Sequence, residues 1–397
     1  MRALQKCSIA ALSMLIMLAL GCGGGSSSKM NTVIPPGQNV AAISVNGGPT
    51  GNYVDGAFVS VTVCTPSSST CQTVPDVLVD TGSSGLRILA TALTVSLTQQ
   101  NGVNGPVAEC LPFISGFTWG PVQTADVQIA GEKASGVPIQ VISEATFPVP
   151  TGCRSNGVSI DTLDALGANG LLGVGLAAPD CGSACTVTGA GNPGLYYQCP
   201  SSVCMVAAQA VPQQVQNPVA LFATDNNGVI LELPAVSAPA ATLSGSLVFG
   251  IGTQSNNGLN GATVYTVDEF GNFTTTFKNL AYANSFIDSG SNGYFFLDSG
   301  VTGFPDCGTD AGFYCPTSTQ SLTATNQGAN AASGSVSFSV ANAETLFANQ
   351  ADSVFVDLGG PGGNGFDWGL PFFFGKNVYV AIEGKSTPGG TGPYWAY

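Results

Sequence analysis

The chain has 397 residues, a length that suggests about two or three domains, and only 8% of its residues are charged. It contains no histidine and carries a net charge of −14. Histidine-based serine or cysteine catalysis and histidine-based zinc sites are therefore excluded, and nucleic acid and anionic lipid surfaces are disfavoured as partners. The 53 glycines and 24 prolines are typical of many short strands joined by turns, which indicates an all-β fold with few short helices.

Residues 1–22 have the form of a bacterial lipoprotein signal peptide. A basic start precedes an apolar run from Ile9 to Leu20, which is too short for a permanent membrane span. The small residue before Cys22 and the Gly/Ser-rich stretch after it resemble a lipobox, so Cys22 is expected to carry the lipid. Ordinary secretion with cleavage nearby is the alternative. Gly23 after the cysteine favours the outer membrane, on its periplasmic or surface face, and residues 23–38 are expected to form a flexible tether.

Short runs rich in valine, isoleucine, threonine and phenylalanine, separated by turn signals, predict strands along the whole chain. Examples are residues 58–63, 127–129, 139–142 and 336–340. The clearest helix prediction covers residues 342–350, and a weaker one covers residues 205–211.

The first motif that carries chemistry lies at residues 78–86, which read LVDTGSSGL. Two apolar residues precede Asp80, as expected where a buried strand delivers a carboxylate to a turn. Gly82 allows a tight turn and the close approach of a second backbone. The hydroxyl groups of Thr81 and Ser83 are candidates to orient the carboxylate.

The second motif, at residues 286–294, reads FIDSGSNGY and nearly repeats the first. Asp288, Ser289, Gly290 and Ser291 correspond to the Asp-Thr-Gly-Ser of the first copy. Two carboxyl groups about 3 Å apart cannot easily both ionise, so they share one proton. One group can then take a proton from water while the other polarises a carbonyl oxygen. The repeat predicts two lobes that each supply one carboxylate to a shared site.

Ten cysteines remain when Cys7 in the signal peptide and Cys22 are set aside, and this even number predicts five disulfides in an oxidising compartment. Redox and zinc sites are disfavoured because no Cys-x-x-Cys motif occurs. Neighbour spacing suggests two short loops, Cys64–Cys71 and Cys307–Cys315, and allows a third pair, Cys110–Cys153. The pairing of four further cysteines is left open, with two bridges expected among Cys181, Cys185, Cys199 and Cys204.

The order of these segments resembles the pepsin-like aspartic proteases over roughly residues 40–397, and most closely an uncharacterised family of bacterial lipoproteins in that clan. Besides the two aspartate motifs, the resemblance rests on four segments: 169–175 (NGLLGVG), 246–250 (SLVFG), 366–371 (FDWGLP) and 377–382 (NVYVAI). It implies a bilobal double-β-barrel with a cleft between an N-terminal lobe at residues 39–240 and a C-terminal lobe at residues 241–397.

The resemblance also implies roles for the residues of the two turns. Asp80 and Asp288 would form the catalytic pair, Thr81 and Ser289 would brace the lobes, and the serines that follow the glycines would hydrogen-bond the carboxylates. The expected substrate is a peptide or protein, the expected state is a monomer, and no metal or other cofactor is expected.

Several residues depart from the pattern of the resembled family. Trp119 stands where a hairpin tyrosine closes over the bound peptide; it either covers the cleft or packs into the first lobe. Arg87 replaces a tryptophan and either lowers the pKa of a nearby carboxyl group, lies on the surface, or binds a substrate carboxylate.

Tyr294 is expected to line the cleft. Pro371 stands where the family has the glycine of its second crossing strand, and residues 357–367 are interpreted as a glycine-rich turn, not a calcium loop.

The sequence therefore predicts a lipid-anchored, pepsin-like aspartic endopeptidase of the bacterial cell envelope. A non-catalytic envelope protein that binds peptides or surface ligands is the main alternative. A purely structural role in the envelope is the third.

Overall fold

The computed structural model describes residues 33–143, 145–201 and 203–397. The signal peptide, Cys22 and most of the tether predicted from the sequence lie outside these residues. The helices in the described part of the chain are short, and none has the length and apolar character needed to cross a membrane.

Strands in the larger of two main sheets come from the first part of the chain, from its middle and from its end. This sheet has seventeen strands. They are β1 (Val40–Asn46), β2 (Gly56–Cys64), β3 (Cys71–Asp80), β4 (Ser84–Leu89), β5 (Thr98–Gln99), β6 (Asn101–Gly102), β7 (Gly105–Phe113), β8 (Gly116–Ile129), β9 (Glu132–Ile142), β10 (Gly170–Val174), β11 (Tyr196–Gln198), β12 (Met205–Val206), β13 (Gly228–Leu233), β14 (Leu243–Phe249), β15 (Val264–Thr266), β23 (Lys376–Ala381) and β26 (Tyr394–Ala396).

The second main sheet has seven strands, all from the later part of the chain. They are β16 (Phe273–Phe277), β17 (Leu280–Ile287), β18 (Tyr294–Phe296), β19 (Gln320–Gln327), β20 (Ser333–Val340), β21 (Gly359–Pro361) and β22 (Asp367–Trp368). A two-stranded ribbon is formed by β24 (Ser386–Thr387) and β25 (Gly390–Thr391).

Helices occupy only short connections between the strands. Four are α-helical: α1 (Thr151–Arg154), α2 (Leu163–Leu166), α3 (Ser299–Thr302) and α4 (Ala343–Leu346). Five more are single 3₁₀ turns: Ala90–Ala92, Gly182–Thr186, Val211–Gln213, Pro218–Leu221 and Leu370–Phe373.

Alternation of small polar and apolar residues produces the half-buried strands. In β20 the sequence SGSVSFSV buries Val336, Phe338 and Val340, while the serines between them are exposed or half-buried. Side chains point to opposite faces of a strand in turn, so this period-2 pattern gives one face to the core. The strands β4 and β10 are buried at every position, because they cross the interior directly behind the first aspartate turn.

Strands from distant parts of the chain join the two lobes in one shared sheet. The first strand, β1, pairs with β2 of the first lobe and along nearly its whole length with β14, where Val40 lies opposite Val248. The middle strand β13 pairs with β14 and β23, and β23 pairs with the last strand, β26. One hydrophobic cluster also contains residues of both lobes, including Val79 and Ile287, which precede the two aspartates of the repeated motifs.

The four strand examples predicted from the sequence lie within β2, β8, β9 and β20. The helix predicted at residues 342–350 is shorter than expected. The side chain of Asn342 caps its start by accepting a hydrogen bond from the backbone N–H of Thr345, and helix α4 ends at Leu346.

The weaker helix prediction, at residues 205–211, is wrong. Met205 and Val206 form strand β12, which pairs with β11, and a 3₁₀ turn begins only at Val211. The disulfide between Cys199 and Cys204 closes the turn that joins β11 to β12, so the covalent link and the sheet override the local helix preference.

All five predicted disulfides are present. The three pairs named from the sequence are formed as expected, and the four remaining cysteines pair with their nearest neighbours. The bonds are Cys64–Cys71, Cys110–Cys153, Cys181–Cys185, Cys199–Cys204 and Cys307–Cys315.

Candidate active site

The first aspartate turn lies between two buried strands and is held from behind by a third. Strand β3 ends at Asp80 and β4 begins at Ser84, while β10 runs parallel to β3 and antiparallel to β4. This crossing places Gly173 opposite Asp80 in the register. A Cβ atom at Gly173 would lie 2.7 Å from the carbonyl carbon of Ser84, so the close approach requires glycine.

The second aspartate turn has the same construction. Strand β17 ends at Ile287, and β22 runs parallel to it and antiparallel to β18, with Trp368 opposite Ile287. The matching register makes Gly369, and not Pro371, the counterpart of Gly173. The assignment of Pro371 from the sequence was therefore wrong: a Cβ atom at Gly369 would collide with the carbonyl oxygen of Gly293, and Pro371 lies in the following 3₁₀ turn.

Thr81 and Ser289 link the two turns through four reciprocal hydrogen bonds. The Thr81 backbone N–H donates to Ser289 Oγ at 3.2 Å, and the Ser289 N–H donates to Thr81 Oγ1 at 2.9 Å. Each hydroxyl then donates to a carbonyl oxygen of the opposite lobe, Thr81 to Ile287 at 3.1 Å and Ser289 to Val79 at 2.7 Å. Both side chains are buried, so water does not compete for these bonds.

The two aspartates face each other across this link. The Gly82 N–H donates to Oδ1 of Asp80 at 2.8 Å and to Oδ1 of Asp288 at 3.1 Å, and the two carboxyl groups are hydrogen-bonded to each other. A Cβ atom at Gly82 would lie 2.5 Å from Cγ of Asp288, and one at Gly290 would lie 2.9 Å from Cγ of Asp80. Glycine at both positions is therefore what lets the carboxyl groups meet.

Serine hydroxyls hold the outer oxygens of the pair. Ser83 donates from Oγ to Oδ2 of Asp80 at 2.5 Å and from its backbone N–H to Oδ1 at 3.1 Å. In the second turn, Ser291 Oγ lies 3.1 Å from Oδ2 of Asp288. The structure thus brings all eight residues of the two predicted turns into one arrangement around the carboxyl pair.

The charge state of the pair is uneven. Burial raises the pKa of Asp288 well above its ordinary value, and the charges of Asp80 and Asp367 raise it further, while the hydrogen bond from the Gly290 N–H opposes the shift. Asp288 therefore keeps a proton in conditions where an ordinary aspartate is ionised. Gly82 is exposed, so solvent and ligands can reach this side of the pair. Such a pair can perform general acid and general base steps on a water molecule.

A third carboxyl group, that of Asp367, is part of the site and was missed by the sequence reasoning. Oδ2 of Asp367 lies 2.5 Å from Oγ of Ser291, and its residue is 8% exposed. Burial raises the pKa of Asp367 to about 7, the hydrogen bond with Ser291 lowers it, and the charge of Asp80 raises it. The alignment of Gly369 with Gly173 would have revealed it, because Asp367 then takes the place of the apolar Leu171.

Trp119 does not cover the cleft. Its side chain is fully buried, packs edge-to-face on Tyr197 with ring centroids 5.3 Å apart, and lies in the cluster that contains the Cys110–Cys153 disulfide. The indole N–H donates to the carbonyl oxygen of Phe147 at 2.9 Å. Of the two roles considered for Trp119, packing into the first lobe is the one observed.

Arg87 is neither a surface residue nor a partner of the carboxyl pair of Asp80 and Asp288. It is fully buried, and its Nη2 atom lies 2.8 Å from both Glu109 Oε1 and Asp180 Oδ2. Burial and the neighbouring Glu109 raise the pKa of Asp180 well above its ordinary value, and the Tyr196 hydroxyl donates to Asp180 at 2.6 Å. The guanidinium group therefore neutralises an interior acidic pair and is not available to a substrate carboxylate.

Tyr294 also lies away from the predicted position. Its ring is buried against Phe338 and Trp368, with centroid distances of 5.2 and 5.9 Å. After burial, the charges of Asp55 and Asp357 are what raise the pKa of its phenol. Tyr294 is thus a core residue of the second lobe and does not line the space in front of the carboxyl pair.

Tyr53, in the loop between β1 and β2, is near enough to the pair for the charges of both aspartates to act on its phenol. Burial raises the pKa of its phenol, and the charges of Asp80 and Asp288 add to the shift. The ring packs edge-to-face on Phe58, with centroids 5.6 Å apart, and a Cβ atom at Gly56 would touch it. A single aromatic residue in a glycine-rich loop was the available sequence signal for this position.

The loop that carries Tyr53 is anchored on the second lobe. The Asp55 N–H donates to the carbonyl oxygen of Ser353, and the Phe355 N–H donates to Oδ1 of Asp55, both at 2.8 Å. Val54 packs against a cluster that contains Phe355 and Leu358. The loop therefore crosses from the first lobe to the second beside the carboxyl pair.

One group of potential metal ligands occurs in the described part of the chain, at Cys307, Cys315 and Glu344. The two sulfur atoms form a disulfide, so neither can act as a thiolate ligand.

Comparisons with known proteins agree with this architecture. The model of a family described as protein of unknown function (DUF3443) matches residues 35–397. No curated protein matches the sequence. Among solved structures, the crystal structure of an aspartic proteinase from Irpex lacteus is similar with a TM-score of 0.52 and 16% sequence identity, over 90% of this chain and 96% of that one. The chain therefore belongs to the DUF3443 family, and its fold is the all-β bilobal fold of a pepsin-like aspartic proteinase.

Proposed function

We propose that the protein is an aspartic endopeptidase that hydrolyses peptide bonds with Asp80, Asp288 and an activated water. The observation that carries this proposal is the contact of two carboxyl groups that share the Gly82 N–H. A purely structural turn gains little from two like charges placed face to face, whereas water-activated hydrolysis needs one ionised and one protonated carboxyl group.

The raised pKa of Asp288 suggests the starting roles, because burial and the charge of Asp80 favour a proton on Asp288. Asp80 is held in place by three hydrogen bonds, from the Gly82 N–H, the Ser83 N–H and the Ser83 hydroxyl. Asp80 then takes a proton from water while Asp288 gives its proton to the scissile carbonyl oxygen. Attack of the hydroxide forms a tetrahedral diol. When the C–N bond breaks, the proton on Asp80 passes to the leaving amine, and one diol proton returns to Asp288.

The experiment that tests the proposal is incubation of the folded, disulfide-bonded protein without residues 1–22 with a diverse peptide library. The range from about pH 3 to about pH 8 spans both apparent pKa values of such a pair. Cleavage that is lost in Asp80→Asn establishes the activity and gives the side-chain preference, and inhibition by pepstatin adds that the cleft is pepsin-like. Absence of cleavage at every pH, with peptide affinity unchanged in Asp80→Asn, would instead establish a binding protein without turnover.

We further propose that Tyr53, not Trp119, contacts the bound peptide or the attacking water. Tyr53→Phe removes one hydroxyl and keeps the packing on Phe58, so we expect kcat/KM to fall by about 2- to 10-fold, the usual worth of one hydrogen bond. Steady-state kinetics check this, with Tyr282→Phe as the matched control because Tyr282 lies on β17 and packs on Phe366. Unchanged kinetics in a Tyr53→Phe protein of unchanged melting temperature would contradict the role.

We also propose that the protein is anchored by a lipid on Cys22 at the outer membrane of a bacterial cell. Support comes from the lipobox-like sequence and from the five disulfides, which need an oxidising compartment. In cells that express the full chain, Cys22→Ser is expected to move the protein from the membrane fraction to the soluble fraction, and Cys7→Ser is not. Membrane association that persists in Cys22→Ser would rule out this anchor.

A further inference from the structure

Ser291 Oγ bridges two carboxyl groups that belong to different elements. It lies 3.1 Å from Oδ2 of Asp288, in its own turn, and 2.5 Å from Oδ2 of Asp367, on β22. A hydroxyl group carries a single hydrogen, so it can donate to only one of the two. Both contacts are full hydrogen bonds only if the other carboxyl group is protonated and donates to Ser291.

The surroundings of the two carboxyl groups indicate which one holds this proton. Oδ1 of Asp288 accepts hydrogen bonds from the N–H groups of Gly82 and Gly290, and the proton that Asp288 holds is shared with Asp80, so it is not available to Ser291. Oδ1 of Asp367 is buried and has no hydrogen-bond partner among the described residues. A buried carboxylate with one oxygen unpartnered is far more costly than a neutral carboxylic acid, whose carbonyl oxygen carries little charge.

We propose that Asp367 is a positioning residue that stores a proton for the carboxyl pair: its carboxylic acid donates to Ser291 Oγ, and Ser291 in turn donates to Asp288. This inference rests on the proposed function for its catalytic meaning, but the arrangement of the proton is a property of the folded protein. When Asp367 loses the proton, the hydrogen of Ser291 turns toward Asp367, and Asp288 loses its donor. A third negative charge then lies beside the pair and repels the charge that the pair carries.

The titratable groups around Asp367 fit this assignment. Asp288 and Asp80 face it from the two turns. The neighbouring strands contribute Tyr282 from β17 and Tyr294 from β18, which pack on the aromatic residues that flank Asp367. The interactions that shift the pKa of Asp367, to about 7, are burial, the bond with Ser291 and the charge of Asp80. Asp367 therefore changes its charge near neutral pH, at the upper edge of the working range of such a pair.

The test compares the melting temperatures of the native protein and Asp367→Asn from about pH 5 to about pH 8. Asparagine is neutral at every pH, and its amide can still donate to Ser291. Because the folded-state pKa of Asp367 lies above its unfolded value, its stabilising effect is complete in acid and is lost as the pH rises through about 7. We expect the melting temperature of Asp367→Asn to gain on that of the native protein from about pH 5 to about pH 7, and the difference to level off above that pH. Asp306→Asn is the control, since Asp306 is also hydrogen-bonded to a serine hydroxyl but at an exposed position.

A second variant keeps the test decisive if Asp367→Asn does not fold. Ser291→Ala retains all three carboxyl groups and removes the bridge. The ionised Asp367 accepts a charge-assisted hydrogen bond from Ser291, and this bond lowers the pKa of Asp367. Removal of the hydroxyl is therefore expected to shift the loss of stability to higher pH than in the native protein. A melting-temperature difference between native protein and Asp367→Asn that stays constant with pH, or an unshifted profile in Ser291→Ala, would overturn the proposal.

Peptide cleavage provides a separate readout. If Asp80 and Asp288 hydrolyse peptides, Asp367→Asn is expected to keep a larger fraction of its kcat at about pH 8 than the native protein does. Cleavage with identical pH profiles and a constant melting-temperature difference overturns the role of Asp367 alone. Absence of cleavage in every protein, with the expected stability profile, refutes the peptidase and leaves the stored proton supported.

Discussion

Asp80→Asn and Asp288→Asn are each expected to lower kcat/KM for peptide hydrolysis by about 10²- to 10⁴-fold, the usual contribution of a general acid or base. Asparagine at position 80 cannot take a proton from water, and asparagine at position 288 cannot pass one to the carbonyl oxygen. Both variants keep the size of the side chain and the link between Thr81 and Ser289, so the turns should remain in place.

Folding and activity must be measured together for these two variants. Asp288→Asn removes a buried group that carries a raised pKa, so its melting temperature near neutral pH is expected to equal or exceed that of the native protein. Asp164→Asn is the control, because Asp164 is an exposed residue in the first turn of α2. Full activity in either active-site variant would eliminate the mechanism.

Arg87→Met is expected to lower the free energy of unfolding by about 3–5 kcal/mol, more than any other substitution proposed for this protein, because it leaves Glu109 and Asp180 buried without their cation. Both side chains are almost completely buried at the ion pairs, so solvent cannot take over the role of the guanidinium group. Lys133→Met is the matched control. Lys133 forms an ion pair with Asp126 at 3.5 Å but is 50% exposed, and pairs of this kind contribute less than about 1 kcal/mol.

The loss of stability in Arg87→Met should depend on pH. The pKa of Asp180 is already raised by burial and by Glu109, and removal of the positive charge raises it further. The folded variant then binds more protons than its unfolded chain, so its stability falls as pH rises. Urea unfolding at about pH 5 and about pH 8 should show the larger difference from the native protein at the higher pH. Equal differences would mean that the acidic pair is not left charged in the interior.

The residues of the two aspartate turns could be predicted because the residues of each turn are consecutive in the sequence. Each turn places an aspartate, a hydroxyl residue, a glycine and a serine in sequence, and the backbone alone brings them together. The hydrogen bonds between the two turns use the hydroxyl groups of Thr81 and Ser289, which lie at corresponding positions in the two motifs. Spacing in the sequence was sufficient for these residues.

The residues that were misplaced depend on which strands meet. Arg87 is next to the first turn in sequence, but its partners lie on β7 and just after β10, and no local pattern connects them. Trp119 sits in the expected hairpin, yet a disulfide and Tyr197 draw it inward. Asp367 was missed because Pro371, two residues too late in the chain, was matched to the glycine of the crossing strand. The register of β22 with β17 shows that Gly369 takes this place.

The fold was predictable to the same degree and for the same reason. Alternating patterns such as that of β20 identify strands individually, because burial of one face follows directly from period-2 spacing. They do not reveal that β1 pairs with β14 or that β13 pairs with β23, since these contacts join residues that are remote in sequence. The sheet that the two lobes share could therefore be recognised only from the structure.

The pairing of strands that are remote in sequence sets an order of events in time. Strand β1 pairs with β14, and β23 pairs with both β13 and β26. Contacts between such remote strands form slowly in folding, after the local hairpins. We therefore expect a partly folded chain to hold its two carboxyl groups apart, so that whatever chemistry they perform begins only when the shared sheet is complete.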